Sequence, residues 1–423
     1  MKSITDIKHN IWIFRRRILI FLAVFGPATI AAMADNDAAG VATYLQAGAK
    51  LGYPILFILI IVTILLAITQ EMGIRLAIIS RKGLGDHIRE KYGLKISIFV
   101  FSALLLANLG TITADVSAIK IISELFNLPS LITIVFLLVL ASLFVVRGNY
   151  RINQTLMLLS SLFFLTFIFS AVKAKPDWGL ALSNLFFPHG VTFDRTYLIS
   201  FLVMGMSILG TTITPWGQFF IQSYVVDKGL NIKHYRIEKT EVYIGAFITN
   251  IVSFFIIIST ATTLYKYGLR ITDAKDAAMA LQPLAGHFAQ ILFAFGLFCA
   301  SMLGAFILPV ATAYAVCEAF GWEYGFNTTW KTGRIFYSII LISIIIPAIL
   351  VLIPSMPLIK VMVLSQDVNG ILLPIILIFV MLIINDKKIM GEHTNRIIGN
   401  IIAWLTIAGI IIATAVLVVS SFF

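Results

Sequence analysis

The chain has 423 residues, of which 60% are hydrophobic and 12% are charged, with a formal net charge of +11 and a mean hydropathy of +0.99. A soluble protein of this length needs far more charge to cover its surface, so the composition indicates a polytopic membrane protein. The basic residues lie between apolar segments rather than in one patch, which argues against a nucleic-acid partner. The two cysteines, Cys299 and Cys317, lie about 27 Å apart on one predicted helix and cannot form a disulfide with each other.

Eleven apolar segments are long enough to cross about 30 Å of hydrocarbon. In chain order the predicted spans are 18–49, 53–79, 94–124, 129–147, 153–173, 197–227, 240–265, 287–318, 333–353, 357–385 and 397–421. The first span is interrupted by polar residues near 35–40, and the sixth is interrupted near 211–216.

The distribution of lysine and arginine predicts the orientation of these spans. The N-terminal arm and every second connection contain 22 of the 31 Lys and Arg residues. This bias predicts an integral plasma (inner) membrane protein with a cytoplasmic N-terminus and, because the number of spans is odd, a C-terminus outside. Arg15–Arg17 followed by an apolar run is also typical of a secretory signal, but a discarded leader would not need the buried carboxylates that follow.

The two interrupted spans predict an internal repeat. Spans one to five (about 18–173) and six to ten (about 197–385) each begin with a broken span, and 397–421 is an additional helix of the same single domain. Five helices per repeat, an odd number, invert the second copy. Broken spans at matching positions of two inverted repeats are typical of a transporter with its binding site at mid-membrane.

The residues at the two breaks are all hard oxygen donors. Asp37 supplies a charge and Thr214 a hydroxyl, and Pro215 lacks the N–H from which the carbonyl of Thr211 would otherwise accept a hydrogen bond. The C-terminal end of a half-helix adds partial negative charge, which suits a cation. Such donors favour Mg²⁺, Ca²⁺ or Mn²⁺, and Mg²⁺ in particular keeps its waters and needs few protein ligands.

Soft donors are scarce near the breaks. The six histidines lie in loops or at helix ends, neither cysteine is near, and Met204 and Met206 precede Thr214 by two or more turns. Gln366 in the tenth span is a further candidate for contact with the ion or its water, and Asp367 beside it is another. Asp35 would lie about 200° from Asp37 on an unbroken helix, so it contacts the ion only if the chain is already unwound there; otherwise it attracts hydrated cations.

Other polar residues within the spans have competing interpretations. Asp115 is either a proton carrier, a partner for a nearby lysine or a snorkelling residue. Asn250 is either a ligand or an interhelical hydrogen-bonding residue, and the second interpretation is favoured. Trp216 is expected to pack and set the size of the pocket, and Gln70-Glu71 to form a buried hydrogen-bonding pair.

At this point the residues resemble a known family. Gly26-Pro27 followed by Asp37 to Ala49, with its Gln-Ala-Gly-Ala block, is similar to the first-helix signature of the Nramp divalent-metal transporters. Gly210 to Trp216 stands where that family has its sixth-helix metal motif, and Leu364-Ser365-Gln366 resembles the tenth-helix segment. The resemblance covers nearly the whole chain. It implies an all-α polytopic fold with 11 transmembrane helices and a LeuT-like inverted repeat, working by alternating access.

The departures from the family pattern suggest a particular branch. Where the family has Asp-Pro-Gly-Asn, the last position here is Gly40, and Met-Pro-His becomes Thr214-Pro215-Trp216. Of the two acidic positions that the family has on the third helix, one is Ile112 here and the other is Asp115. This pattern resembles the Nramp-related magnesium transporters, which implies a wider site for Mg²⁺ and Mn²⁺ and conduction uncoupled from protons.

The leading hypothesis is uptake of Mg²⁺ and Mn²⁺ through Asp37, Thr211, Thr214 and Gln366, with Gly40 leaving room for a hydration shell. The first alternative is a proton-coupled Mn²⁺ or Fe²⁺ symporter with Asp115 as carrier. The second is a sodium-coupled organic-solute symporter, although two free acids would repel a substrate carboxylate. An enzyme is disfavoured because no mid-membrane histidine or nucleophile–base pair is present. We expect no cofactor, because the metal ion is the transported substrate. We also expect no obligate protein partner; the protein's surroundings are the lipid bilayer.

Overall fold

The computed structural model describes residues 34–147, 162–271, 274–281, 286–325, 328–354 and 356–420, and these residues form helices and connections without any β-strand. The predicted start of the first span with Gly26-Pro27, the Arg15–Arg17 cluster and the first part of the fifth span (153–161) lie outside the described residues.

The helices follow the predicted spans closely. They are α1 (Ala38–Leu51), α2 (Leu56–Ser80), α3 (Leu84–Leu125), α4 (Ser130–Arg147), α5 (Leu165–Lys173), α6 (Trp178–Phe186), α7 (Arg195–Thr212), α8 (Pro215–Asp227), α9 (Tyr235–Thr263), α10 (Ala289–Phe320), α11 (Arg334–Val351), α12 (Leu358–Ile384) and α13 (Ile397–Ser420). Short helices Ala274–Ala278 and Lys387–Met390 lie in connections. Within the described residues, eight segments are long and apolar enough to cross a membrane, and α7 with α8 forms one of them.

The burial of the helices indicates which of them form the centre of the bundle. In α10, 78% of the most apolar window is buried, whereas in α13 only 17% is. The central helix α10 packs along α3 and also contacts α8 and α11, while α13 lies at the edge against α12 and α7. Large apolar side chains such as Phe99, Leu106 and Leu405 are exposed on the outside. So much exposed apolar surface is expected where a protein faces lipid.

Two features of the helices differ from the prediction. The third helix begins at Leu84, ten residues before the predicted 94, and it bends at Gly93, whose φ is 79°. Residues 84–92 carry many charges, so the apolar runs alone do not predict a helix there. The short helix α6 lies in the connection between predicted spans five and six, where no helix was expected.

A close crossing of α7 and α12 brings the sixth span against the tenth. A Cβ atom on Gly210 would lie 2.0 Å from the carbonyl oxygen of Gln366, and one on Gly370 would lie 2.7 Å from the carbonyl oxygen of Met206. Only glycine permits this approach of two backbones. The crossing places the break between α7 and α8 within the interior of the bundle.

Candidate cation site

The first break is produced by the start of a new helix at Asp37. Residues 35–37 are not helical, and α1 begins at Ala38 with Asp37 as its N-cap. The Asp37 Oδ1 atom accepts a hydrogen bond of 2.7 Å from the backbone N–H of Gly40. This bond satisfies an otherwise unpaired amide and places the carboxylate at the positive end of the helix. Asp35, Asn36 and Asp37 are all at least 97% buried.

The second break is a proline-initiated helix start. Residues Ile213 and Thr214 separate α7 from α8, and Thr214 is the N-cap of α8. Its hydroxyl oxygen accepts a hydrogen bond of 3.1 Å from the backbone N–H of Gly217. Pro215 at the first helical position has no N–H to offer the carbonyl of Thr211, four residues before it.

The two breaks meet at Asp35. The hydroxyl of Thr211 donates to the backbone carbonyl of Asp35 at 3.3 Å, and the hydroxyl of Thr214 donates to the Asp35 carboxylate at 3.4 Å. A Cβ atom on Gly40 would lie 2.5 Å from the Asp35 carbonyl oxygen and 2.8 Å from the Thr211 hydroxyl. Gly40 therefore permits a close approach of the two breaks, and the space beside it is filled by protein oxygens rather than left open for a hydration shell.

Asp115 brings a third carboxyl group to the site from α3. Its Oδ1 atom accepts a hydrogen bond of 3.1 Å from the backbone N–H of Ala38, the first residue of α1. Its Oδ2 atom is buried without a hydrogen-bond partner among the described residues, and a Cβ atom on Gly304 of α10 would lie 1.9 Å from it. Asp115 thus has no salt bridge with a lysine among the described residues, and its full burial excludes snorkelling. It binds the backbone at the start of the helix that Asp37 caps.

The structure places Gln366 and Asp367 beside the breaks, with their side chains engaged elsewhere. The carboxamide of Gln366 hydrogen-bonds to the hydroxyl of Ser365 and to the amide of Asn369, each at 3.1 Å. Asp367 is half-buried and accepts a hydrogen bond from Ser207, one turn before Thr211 on α7. Neither side chain has a hydrogen bond with Asp35 or Asp37 in the described part of the chain.

Neither Asn250 nor Trp216 has a hydrogen bond with the three carboxyl groups among the described residues. The Asn250 amide donates to the carbonyl of Ala246 on its own helix at 2.9 Å, and its carbonyl oxygen is buried without a partner among the described residues. Trp216 is fully buried, with its ring centre 6.1 Å from that of Phe220. Its indole Nε1 is also buried without a hydrogen-bond partner among the described residues, so the contact seen for the ring is packing.

Two residues near the first break were not given roles from the sequence. Asn36 was considered only as part of the polar triplet, although its side chain makes two hydrogen bonds to α9. Met33 precedes Asp35 by two residues and is a further thioether near the first break; it lies outside the described residues. The signal for Asn36 was its polarity within an apolar run. The direction of its side chain was not visible in the sequence.

The charges at the site favour a cation. Asp35, Asp37 and Asp115 are buried, and none of them takes part in a salt bridge within the described residues. Buried carboxylates without a positive partner are costly, so a bound cation would stabilise them. No three His, Cys, Asp or Glu side chains are arranged as a ready metal cluster in the residues described. The further donors available are the hydroxyl and carbonyl oxygens at the two breaks.

Comparison with known proteins identifies relatives over almost the full length. The chain is 27% identical to the divalent metal cation transporter MntH of Staphylococcus aureus (strain JH9), an alignment that covers 95% of this chain and 92% of that protein. The MntH of strain Newman gives the same values.

Solved structures share the fold. The Eremococcus coleocola manganese transporter, in complex with an aromatic bis-isothiourea compound, has a TM-score of 0.75 at 18% identity, covering 93% of this chain and 85% of that one. MhsT in complex with L-phenylalanine has a TM-score of 0.64 at 14% identity, covering 92% and 98% of the two chains. These likenesses show the fold alone, and they confirm the predicted LeuT-like architecture of this membrane protein. The family model for Nramp, described as natural resistance-associated macrophage protein-like, matches residues 28–420, and the chain therefore belongs to the Nramp family.

Proposed function

We propose that this chain carries divalent metal cations, Mg²⁺ and Mn²⁺, across a membrane by alternating access and without proton coupling. The observation that carries the proposal is the meeting of the two breaks at Asp35, where Thr211 and Thr214 both hydrogen-bond to it. Asp37 and Asp35 supply the charge, and Thr211 and Thr214 supply neutral oxygens. Gln366 lies beside them and would reach the ion through water. The S. aureus relatives are named as divalent metal cation transporters, which supports the substrate class.

The preference for hard cations rests on the donors. Carboxylate, hydroxyl and carbonyl oxygens suit Mg²⁺ and Mn²⁺, and Mg²⁺ retains several waters when it binds. Thr214 and Trp216 replace a thioether and an imidazole of the family motif. Met33 is the one sulfur near the first break in the sequence, so it provides the test of a soft contribution.

The absence of proton coupling rests on the third helix. Ile112 occupies one of the two acidic positions of the family pattern, and the remaining acid, Asp115, binds the backbone amide of Ala38. The membrane potential alone is worth about 2.3 kcal/mol per charge per 100 mV, or about twice that for a divalent ion. This is enough to drive uptake. A proton-coupled symporter is the second candidate, favoured by the buried Oδ2 atom of Asp115 without a partner among the described residues.

The proposed orientation has a cytoplasmic N-terminus and a C-terminus outside. Contacts between connections support it. Arg75 donates to the carbonyl of His393 at 2.7 Å and Lys91 to the carboxylate of Asp386 at 2.6 Å, so two basic connections lie on one face. At the other end of α3, Lys120 donates to the carbonyl of Val351 at 2.9 Å.

The proposal is tested with purified protein in liposomes containing a Mg²⁺-sensitive or Mn²⁺-sensitive dye. We expect uptake of both ions that responds to the membrane potential. A pH-sensitive dye in the lumen should report no acidification. Substitution Met33→Leu should leave Mg²⁺ uptake unchanged, whereas a selective loss of Mn²⁺ uptake would identify a soft ligand. Mn²⁺-driven acidification that disappears in Asp115→Asn would establish the proton symporter instead. If neither ion enters and amino acids do, the chain is an organic-solute symporter.

A further inference from the structure

We propose that Asn36, Thr249 and Ser253 form a clamp that holds the first break in the conformation that presents Asp35 and Asp37 to the cation. In this proposal Asn36 is a positioning residue, which acts on the ion through its two neighbours. The effect of the clamp on transport rests on the proposed function. The effect of the clamp on the conformation of the break rests on the structure alone.

Both ends of the Asn36 carboxamide are bound by α9. The amide nitrogen donates to the hydroxyl of Thr249. The hydroxyl of Ser253 donates to the carbonyl oxygen of Asn36 at 3.2 Å and shares its hydrogen with the backbone carbonyl of Thr249 at 3.1 Å. Thr249 and Ser253 are four residues apart, so their side chains lie on the same face of α9. All three residues are at least 99% buried. A buried carboxamide with both ends bound has one favoured orientation, because any other leaves polar atoms unpaired.

The clamp separates the two carboxyl groups of the break. Asp35 faces Thr211 and Thr214, Asn36 faces α9, and Asp37 turns back to the amide of Gly40. Because Asn36 lies between the two acids in the chain, fixing its side chain limits the rotation of the peptide groups on either side. The hydrogen bonds that hold Asp35 from the other side are long, at 3.3 and 3.4 Å, and O–H···O bonds of that length are weak. The clamp attaches the break to α9, and the two long bonds attach it to α7 and α8.

The contact with α9 continues along α1. A Cβ atom on Gly48 would lie 2.2 Å from the hydroxyl oxygen of Thr260, so α1 and α9 are in close contact again three turns beyond the break. With one attachment at Asn36 and another at Gly48, α1 is fixed to α9 at both ends. The alternative is that Asn36 makes a simple interhelical hydrogen bond, which would stabilise the whole bundle without holding the break in particular. The clamp and this alternative differ in whether losing the bond loosens residues 34–41 specifically, and an experiment can measure that.

The experiment compares three substitutions on α9 in the full chain. Thr249→Val removes the hydroxyl while keeping the shape, and Thr249→Ser keeps the hydroxyl. Ser259→Ala is the matched control, because Ser259 is fully buried on the same helix and its hydroxyl binds only the carbonyl of Ile256 among the described residues, at 2.7 Å. Hydrogen–deuterium exchange is measured for the peptide covering residues 34–41, and KM and maximal rate are measured for Mg²⁺ uptake in liposomes.

We expect Thr249→Val to speed exchange in residues 34–41 and to raise KM for Mg²⁺ by about fivefold to tenfold, the effect of one buried hydrogen bond, with the maximal rate nearly unchanged. Thr249→Ser and Ser259→Ala should behave as the unmodified protein. The clamp is overturned if Thr249→Val leaves exchange and KM unchanged, if Thr249→Ser has the same effect as Thr249→Val, or if only the amount of folded protein falls. Exchange requires no metal, so faster exchange in a protein that transports no metal would refute the proposed function and support the clamp.

Discussion

Replacing Asp37 with asparagine tests the site without removing the helix cap. Asparagine is as good an N-cap as aspartate, so Asp37→Asn keeps the hydrogen bond from the amide of Gly40 and removes only the charge. Two unit charges about 4 Å apart interact by about 4 kcal/mol at an effective dielectric constant of about 20, and a divalent ion doubles this value to about 8 kcal/mol. Dehydration of the ion offsets most of it. We expect at least about a hundredfold loss of uptake below saturation, which corresponds to about 2.7 kcal/mol.

The stability of Asp37→Asn should change in the opposite direction. Asp35 and Asp115 are neighbouring acids that repel Asp37, so removing its charge should leave the metal-free protein as stable as before or more stable. The increase in melting temperature on adding Mg²⁺ should disappear, because binding to the folded state is its source. Uptake in liposomes and thermal unfolding with and without Mg²⁺ measure the two effects.

A matched control exists at the start of α6. Asp177 is also an N-cap, its carboxylate accepts a hydrogen bond of 2.9 Å from the amide of Leu180, and it is exposed outside the site. Asp177→Asn should leave uptake and the Mg²⁺-dependent melting temperature unchanged. If Asp37→Asn retains uptake within about threefold, or if Asp177→Asn loses as much, the charge of Asp37 is not the source of cation binding and the reasoning fails.

Three further predictions follow from single contacts. Gly40→Ala should destabilise the protein by about 1–3 kcal/mol in thermal or chemical unfolding, because the added Cβ would meet the Asp35 carbonyl. Gly409→Ala on α13 is the control, since its Cβ would have nothing within 4 Å, and it should be neutral or slightly stabilising. Equal effects of the two substitutions would show that there is space for a side chain at Gly40. Thr214→Val should lower uptake and cost about 0.5–2 kcal/mol of stability through the lost cap, and Thr214→Ser should restore both; a failure of serine to restore them would assign the effect to the methyl group. The hydrogen bond from Lys91 lowers the pKa of Asp386, which lies outside the spans. This pair therefore stabilises the fold above the ordinary pKa of the carboxyl, and the contribution is lost as the pH falls through the lowered pKa. The acid-induced fall in melting temperature should be smaller in Asp386→Asn than in the unmodified protein.

The helices and the two breaks were predictable because their signals are local. Apolar runs located the spans to within a few residues. Asp35-Asn36-Asp37 and Thr214-Pro215 marked the breaks because each places a helix-capping side chain within an apolar run, in the second case directly before a proline. Proline alone is a weaker signal, since Pro309, Pro347 and Pro374 lie inside continuous helices. The charged first part of α3 was missed because it is helical without being apolar. Hydropathy therefore located what crosses the membrane, and it could not locate helix outside it.

The directions of the side chains at the site were not predictable in the same way. Once a helix ends, the rotation of about 100° per residue no longer applies, and the directions of Asp35 and Asn36 depend on hydroxyls of α7, α8 and α9 that are more than 170 residues away in the chain. Glycine at position 40, where the family motif has asparagine, suggested open space. Its real neighbours come from the other break, so its role became apparent only from the tertiary contacts.

The position of Asp115 connects the question of proton coupling with the motion of α1. Its carboxylate binds the first amide of α1, while its own helix α3 packs along α10 and its backbone carbonyl accepts a hydrogen bond of 2.7 Å from Ser301. In contrast, α1 is attached to α9 through Asn36 and Gly48. A movement of α1 with α9 away from α3 and α10 would stretch the bond between Ala38 and Asp115, at the point where Asp37 caps the helix. A bond in this position would link the geometry of Asp37 to such a movement, and under the proposed uncoupled transport it would give Asp115 a role that requires no proton.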